Sequence, residues 1–188
     1  VSEPDGGPAN ALNNGFQRAT GEILAFLNAD DFFLPGCLQR IAEEFTRHPA
    51  VDVVSGHGYF AKANGELGLP TFSDRWSLTR FKYGACVLVQ PATFFRRTAF
   101  DRVSGFKSNG TCWDMELWGD MARAGATFHS LDAFVAAFRL HPASITGSFK
   151  YRQRRMADAR AVMEAMRGRP ETFRDRTLSL IHRLWKFS

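Results

Sequence analysis

The run Ile23-Leu24-Ala25-Phe26-Leu27 ends abruptly in Asn28-Ala29-Asp30-Asp31, and this junction constrains the fold more than any other stretch. An apolar run of this length, closed by a polar turn, predicts a buried strand over residues 22–27. Two adjacent carboxylates at its end repel each other, and two arrangements answer that repulsion. One is an Asp-rich turn facing water. The other is a divalent cation, since hard ions such as Mg2+ and Mn2+ favour carboxylate and phosphate oxygens. In open α/β sheets, ligands sit beyond the carboxyl ends of the strands, which is where this pair falls. The pair alone leaves both readings open.

The flanking segments supply the rest of an α/β pattern. Pro4 and Asp5-Gly6-Gly7 form a loop, and Pro8 opens a helix carrying Ala11, Leu12, Phe16 and Ala19. After the acidic turn, a helix is predicted over about 36–47, followed by a strand marked by Val51, Val53 and Val54. Residues 56–69 read as a hairpin around Asn64-Gly65. A short helix is expected over 74–83, a strand over 86–95 broken at Pro91, and a short helix over 96–103. The loop Lys107–Thr111 leads into a helix over about 113–124, and a strand follows over 133–139. Two helices, 149–167 and 171–186, close the chain around Gly168-Arg169-Pro170. Strand–helix–strand alternation implies a sheet with parallel pairing.

At 188 residues the chain suits one domain with a substantial core, to which eighteen scattered Phe residues contribute. Cys37, Cys86 and Cys112 are odd in number and lack Cys-x-x-Cys spacing. Reduced thiols in a cytoplasmic setting are therefore expected, rather than a disulfide scaffold or a cysteine-ligated zinc. No apolar run reaches the ~20 residues that span a bilayer. Charge is uneven: residues 1–138 hold 12 Lys and Arg against 15 Asp and Glu, whereas residues 139–188 hold 12 against 4. The acidic pair thus lies in an acidic body, which argues against a nucleic-acid partner.

Two further groups can carry chemistry. Asp114, in Trp113-Asp114-Met115-Glu116-Leu117-Trp118, stands at a predicted helix start. There it serves either as a cap for free amides or as a general base. Glu116 and Asp120 are expected on a solvated face. His141, at a strand end, is either a surface residue or a metal or phosphate ligand.

Taken in order, these pieces resemble the family 2 glycosyltransferases of the GT-A fold. The resemblance lies in Ser2-Glu3-Pro4-Asp5-Gly6-Gly7, Asn10-Ala11-Leu12-Asn13-Asn14-Gly15, Ala19-Thr20-Gly21-Glu22 and Leu27-Asn28-Ala29-Asp30-Asp31. It continues through Gln90-Pro91-Ala92-Thr93-Phe94-Phe95-Arg96-Arg97, Gly105-Phe106, Trp113 to Trp118, and Arg139-Leu140-His141-Pro142-Ala143-Ser144-Ile145. The match spans about residues 2–146. It implies an α/β, GT-A-like fold: a mixed, mainly parallel sheet flanked by helices, N-terminally truncated and extended by a C-terminal helical tail. The expected division is a partial glycosyltransferase-like domain over 1–147 and a basic helical extension over 148–188.

The resemblance also implies roles. Asp30 and Asp31 would hold Mn2+ or Mg2+ on the diphosphate of a UDP- or GDP-type sugar, with Asp31 the expected direct ligand. His141 would be the late metal or phosphate contact. Asp114 would deprotonate the acceptor hydroxyl, and one base with one displacement implies inversion. Asp5, Gly7, Asn13 and Asn28 would lie on the nucleotide and donor side, and Trp113, Phe95 and Arg96 on the acceptor side. The acceptor would be a glycan, a lipid-linked sugar or a protein-linked glycan of the bacterial envelope. Two departures matter. Asn28 stands where many relatives carry Asp, which points to ribose or outer contact rather than metal. The strand–helix–strand that holds the base in this family is expected before Val1, so this chain alone is expected to bind nucleotide weakly.

The basic tail has two readings. Met156, Ala159, Val162, Met163 and Met166 form one helical stripe, and Leu178, Ile181, Leu184 and Trp185 another. The second is bordered by Arg174, Arg176, Arg183 and Lys186. Such stripes either pack on the domain or lie at an anionic membrane surface, here the inner face, with Trp185 at headgroup level. Two other functions compete with sugar transfer. A nucleotidyltransferase shares the carboxylates and metal but wants a Gly-rich phosphate loop, and none is visible. A non-catalytic interaction module keeping the GT-A fold is the third reading.

Overall fold

The computed structural model describes residues 4–107, 110–141, 144 and 146–184. Expectations resting on Ser2, Glu3, Ser108, Asn109, Pro142, Ala143, Ile145, Trp185 and Lys186 lie outside the described residues.

Helix α1 (Pro8–Arg18) begins at the predicted proline and precedes β1 (Ile23–Leu24), only two residues of the expected strand. β2 (Phe32–Phe33), α2 (Cys37–Arg47) and β3 (Val53–Ala61) follow. β4 (Leu67–Thr71) returns antiparallel to β3 across a loop in which Gly65, at φ +86°, makes the turn. α3 (Leu78–Lys82), β5 (Thr93–Arg96), α4 (Arg97–Asp101), α5 (Trp113–Arg123) and β6 (Phe128–Arg139) complete the body. α6 (Arg152–Arg167) and α7 (Phe173–Leu184) form the tail.

The strands run in the order β1-β5-β3-β6-β2, with β4 also paired to β3. The sheet is mixed and flanked by helices, as expected, but the balance of pairing differs from the sequence reading. β3 and β6 are parallel and form the longest ladder, while the other four pairings are antiparallel. The cause is local: Pro91 sits in a 3-10 turn (Gln90–Ala92), and the strand after it, β5, runs back against β3.

Alternation along the strands builds two cores. Val53 pairs with Phe95 and both face one layer, while Val54 pairs with Phe94 and both face the other. The first layer gathers Phe16, Phe26, Phe95, Phe106 and Trp118 beneath α1 and α5. Phe95 is fully buried and Trp118 is 2% exposed, with ring centroids 5.5 Å apart. Burial of each such ring contributes roughly 1.5–3 kcal/mol by area. The second layer sets Ile41 and Phe45 of α2 against Val54, Phe94 and Val135.

The tail helix α6 packs on α3 and α5 through Val162 and Met166, which join Phe81 and Cys86 in a third cluster. Contact is close: a Cβ on Gly119 would stand 2.7 Å from Met166 Sδ. The first tail stripe therefore meets the body, although Met156 at its start is 61% exposed. The second does not: Leu178, Leu180, Ile181 and Leu184 are all exposed. Helix α7 is tied back instead by Asp175, which accepts from Arg169 at 2.6 and 2.9 Å and is 2% exposed.

Candidate active site

The antiparallel β2–β6 register, Phe32 opposite Ala137, carries the acidic turn alongside the end of β6. The two carboxylates then part ways. Asp31 turns inward and is 7% exposed. Its Oδ1 accepts from the Arg139 backbone N–H at 2.9 Å, and its Oδ2 accepts from Asn28 Nδ2 at 2.9 Å. Burial raises its pKa; those two hydrogen bonds oppose the rise and the neighbouring Asp30 charge adds to it. Asp30 turns outward, and its Oδ2 lies 3.0 Å from His141 Nε2. Both side chains are about a third exposed.

Asn28 is the keystone of the turn. Its amide also donates to Gln90 Oε1 at 3.0 Å, and Gln90 Nε2 donates to the Phe26 carbonyl at 2.7 Å. Each partner in this chain has one allowed orientation, because the carbonyl at its end can only accept. A neutral residue at position 28 suits this service better than a carboxylate would.

Asp30, His141, Asn28 and Gln90 line a cleft of about 640 Å³, and Trp113 and Asp114 line it as well. Asp114 lies in the first turn of α5, where its Oδ1 accepts from the Met115 N–H at 2.8 Å. Capping and cleft-facing roles therefore coincide. Burial raises the Asp114 pKa, opposed by hydrogen bonds from the backbone amides of Met115 and Asp114 itself. A half-buried carboxyl with a raised pKa, facing a cleft, is a candidate for acid–base work. Among the described lining residues, Asp30 and Asp114 are the only carboxylates.

The wall from Val87 to Gln90 is fixed from behind. Asp74 Oδ2 accepts from the Val87 N–H at 2.7 Å, and Ser73 Oγ accepts from the Val89 N–H at 2.8 Å. Ser55 Oγ then bridges Ser73 and Thr93 at 2.9 and 2.8 Å. The Cys37 and Cys112 thiols are poor nucleophiles: burial pushes both up to about 11.

Several residues expected at the site stand elsewhere. Phe95 is in the aromatic core, without surface to offer an acceptor. Arg96 donates to the carbonyls of Val51 and Phe45 and pairs with Glu22, holding β5 to the start of β3. Asn13 spends its amide on the Phe106 backbone, donating at 2.8 Å and accepting at 2.9 Å. Gly7, at φ 117°, caps α1, and exposed Asp5 accepts from its N–H at 2.8 Å. Asp120, expected on a solvated face, is 5% exposed and paired with Lys107 and Arg123.

The tail contributes what the sequence did not announce. Arg155 lines the cleft, and Asp158 accepts from both the N–H and the hydroxyl of Thr111 at 2.8 Å, holding the approach to α5. In the sequence Arg155 is one of twelve Lys and Arg in residues 139–188; only helical phase against α5 singles it out.

The Asp30–His141 pair can be tested against a divalent cation. Adjacent ligands on a six-coordinate ion with bonds near 2.1 Å stand about 3.0 Å apart, as this pair does. One carboxylate oxygen and one imidazole nitrogen, open to a cleft, also suit Mn2+ or Mg2+ chemically.

Comparison with known proteins gives the family and the fold. Residues 1–103 match the model of glycosyl transferase family 2. An uncharacterized glycosyltransferase of Nostoc sp. is 44% identical over 157 residues, covering 77% of this chain and 47% of that protein. One from Mycobacterium tuberculosis is 31% identical over 108 residues, covering 56% of this chain and 40% of its own. The chain thus spans about half the length of the curated relatives it matches. Staphylococcus aureus TarS, solved with UDP-GlcNAc, superposes with a TM-score of 0.66 at 14% identity, over 100% of this chain and 54% of that one. The mannosyltransferase PcManGT of Pyrobaculum calidifontis, solved with GDP-Man and Mn2+, gives 0.59 at 18% identity, over 96% and 49%. These structural likenesses establish the GT-A-like fold. With the family model covering more than half of its length, the chain belongs to glycosyl transferase family 2.

Proposed function

We propose that this chain carries the donor and catalytic half of an inverting, metal-dependent glycosyltransferase that moves a sugar from a nucleoside-diphosphate donor to an acceptor hydroxyl. One observation carries the reading: Asp30 and His141 converge at 3.0 Å on a cleft that also holds Asp114. Asp30 and His141 would hold Mn2+ or Mg2+, and Asp31 would orient their turn rather than ligate. When bound, the ion supplies countercharge for the departing diphosphate. Arg155 adds a fixed cation on the same cleft.

Asp114 takes the proton of the acceptor hydroxyl as that oxygen bonds to the anomeric carbon and the bond to the diphosphate oxygen breaks. A double displacement would need a second carboxylate as nucleophile; Asp30, the only other one on the described cleft wall, is the one that would hold the ion, which supports inversion. UDP-GlcNAc in TarS and GDP-Man in PcManGT support a nucleotide-sugar donor. Trp113 offers an apolar face to the acceptor. We assign residues 1–147 to the transferase body and 148–188 to an extension whose Arg155 completes the cleft. The acceptor is a glycan or a lipid-linked sugar, and the exposed basic face of α7 favours work at the cytoplasmic membrane surface.

The test is release of nucleoside diphosphate from UDP- and GDP-sugars by the full-length protein with Mn2+, repeated with Asp114→Asn. Transfer that depends on Mn2+ and falls at least 100-fold in the variant is expected. Transfer that survives Asp114→Asn would remove Asp114 as the base.

A further inference from the structure

At the end of the sheet away from the cleft, three potential ligands meet. Glu44 and His48 lie one helical turn apart at the end of α2, and His129 stands at the start of β6, opposite Val54 of β3. Their ligand atoms all lie within 4.8 Å of one another. Glu44 Oε2 is 3.3 Å from His129 Nε2 and 3.5 Å from His48 Nε2. The imidazole centroids are 4.4 Å apart.

We infer that Glu44, His48 and His129 form a second divalent-cation site, of Zn2+ type, distinct from the donor site. The spacing is the first reason. Ligands on a tetrahedral ion with bonds of about 2.0–2.1 Å stand roughly 3.3–3.4 Å apart, close to both measured edges and longer than the ~2.9 Å of a good N–H···O bond. The donor set is the second. Two imidazoles and one carboxylate select Zn2+ over Mg2+ or Mn2+, which favour oxygen.

Accessibility is the third reason. Glu44 is 7% exposed at its side chain, while His129 and His48 are 31% and 43% exposed, so the fourth position opens to water. Arg47 pairs with Glu44 Oε1, leaving Oε2 for the imidazoles. His129 lies opposite Val54, and Arg139, two residues before His141, lies opposite Ala61; those seven steps of β3 span roughly 23 Å at 3.3 Å each, so the ion takes no part in sugar transfer. It joins the end of α2 to the first residues of β6.

The inference stands apart from the glycosyltransferase reading and is tested without turnover. Co2+ and Zn2+ are titrated into the intact protein, Asp30→Asn, His129→Ala and His48→Ala, with excess Mg2+ present. One Co2+ with visible absorption bands of a low-coordinate site is expected in the intact protein and in Asp30→Asn. In both histidine variants its affinity drops at least 10-fold, and Zn2+ no longer raises the melting temperature. His48 is half-exposed at a helix end, so that variant keeps its fold if His129→Ala does not. Absence of binding to the intact protein, or binding by both histidine variants as tight as by the intact protein, overturns the site.

Discussion

Asp31→Asn tests whether the inward carboxylate supports the site or carries it. In the variant, the amide oxygen can still accept from the Arg139 N–H, but its NH2 group then meets Asn28 Nδ2, donor against donor. Asn28 cannot turn over, because Gln90 Oε1 already takes its other proton and Gln90 is held by the Phe26 carbonyl. One buried hydrogen bond is thus lost outright, costing about 1–3 kcal/mol. Removing a buried charge whose pKa is raised by burial, and which sits beside Asp30, returns part of this. A net loss of about 1–2 kcal/mol lowers the melting temperature by roughly 2–8 °C for a chain of this size. As outer support, Asp31 should cost about 10–100-fold in Mn2+ affinity. Asp30→Asn, at a side chain one-third exposed, should move the melting temperature by no more than about 2 °C, yet weaken Mn2+ by more than the Asp31 change. Differential scanning calorimetry and Mn2+ titration give both readouts. If Asp31→Asn leaves stability unchanged but abolishes Mn2+ binding while Asp30→Asn retains it, the assignment of roles is wrong.

Four other outcomes are expected. The acid limb of kcat/KM should lie above the ordinary carboxylate value of 3.8, since burial raises Asp114 and only its ionised form accepts a proton; a limb at or below 3.8 contradicts this. By the same sign, a folded pKa above the unfolded one means stability falls as pH rises between them, so Asp114→Asn should not lower the melting temperature at neutral pH. Met166→Ala should cost about 2–5 kcal/mol and raise the donor KM, because the helix it anchors carries Arg155; unchanged KM in a correctly folded variant would detach Arg155 from donor binding. Flotation with anionic vesicles should carry the intact protein but not Leu180→Glu with Leu184→Glu, and equal partitioning would remove the membrane contact.

The candidate residues of the cleft were legible where one local pattern fixes them. The strand end at Asn28–Asp31, the helix start at Asp114 and the strand end at His141 each announced a position, and together they line one cleft. Less legible was which way each side chain turns. Adjacent Asp30 and Asp31 differ only in what β6 sets beside them, and that depends on a pairing formed across more than 100 residues. Phe95 was misplaced because an aromatic beside a polar turn serves an acceptor or a core equally well; the Val53–Phe95 pairing decides for the core. The sheet's direction was misjudged for a similar reason, since alternating strands and helices say nothing of a reversal made at a 3-10 turn. Glu44 and His129 are far apart in sequence on different elements, so no local pattern joins them.

The span between Asp30 and His141 also has a meaning in time. Their contact bridges 111 residues. At roughly 5–20 residues per second, a ribosome takes about 6–22 s to pass from one to the other. During that interval the acidic turn exists without its imidazole, and Asp31 without the Arg139 amide that turns it inward. Contacts of such long sequence separation form late, because loop closure precedes their reward. A nascent chain therefore carries a repelling carboxylate pair before it carries the imidazole that meets it, and the finished Asp30–His141 contact records that β6 has docked between β2 and β3.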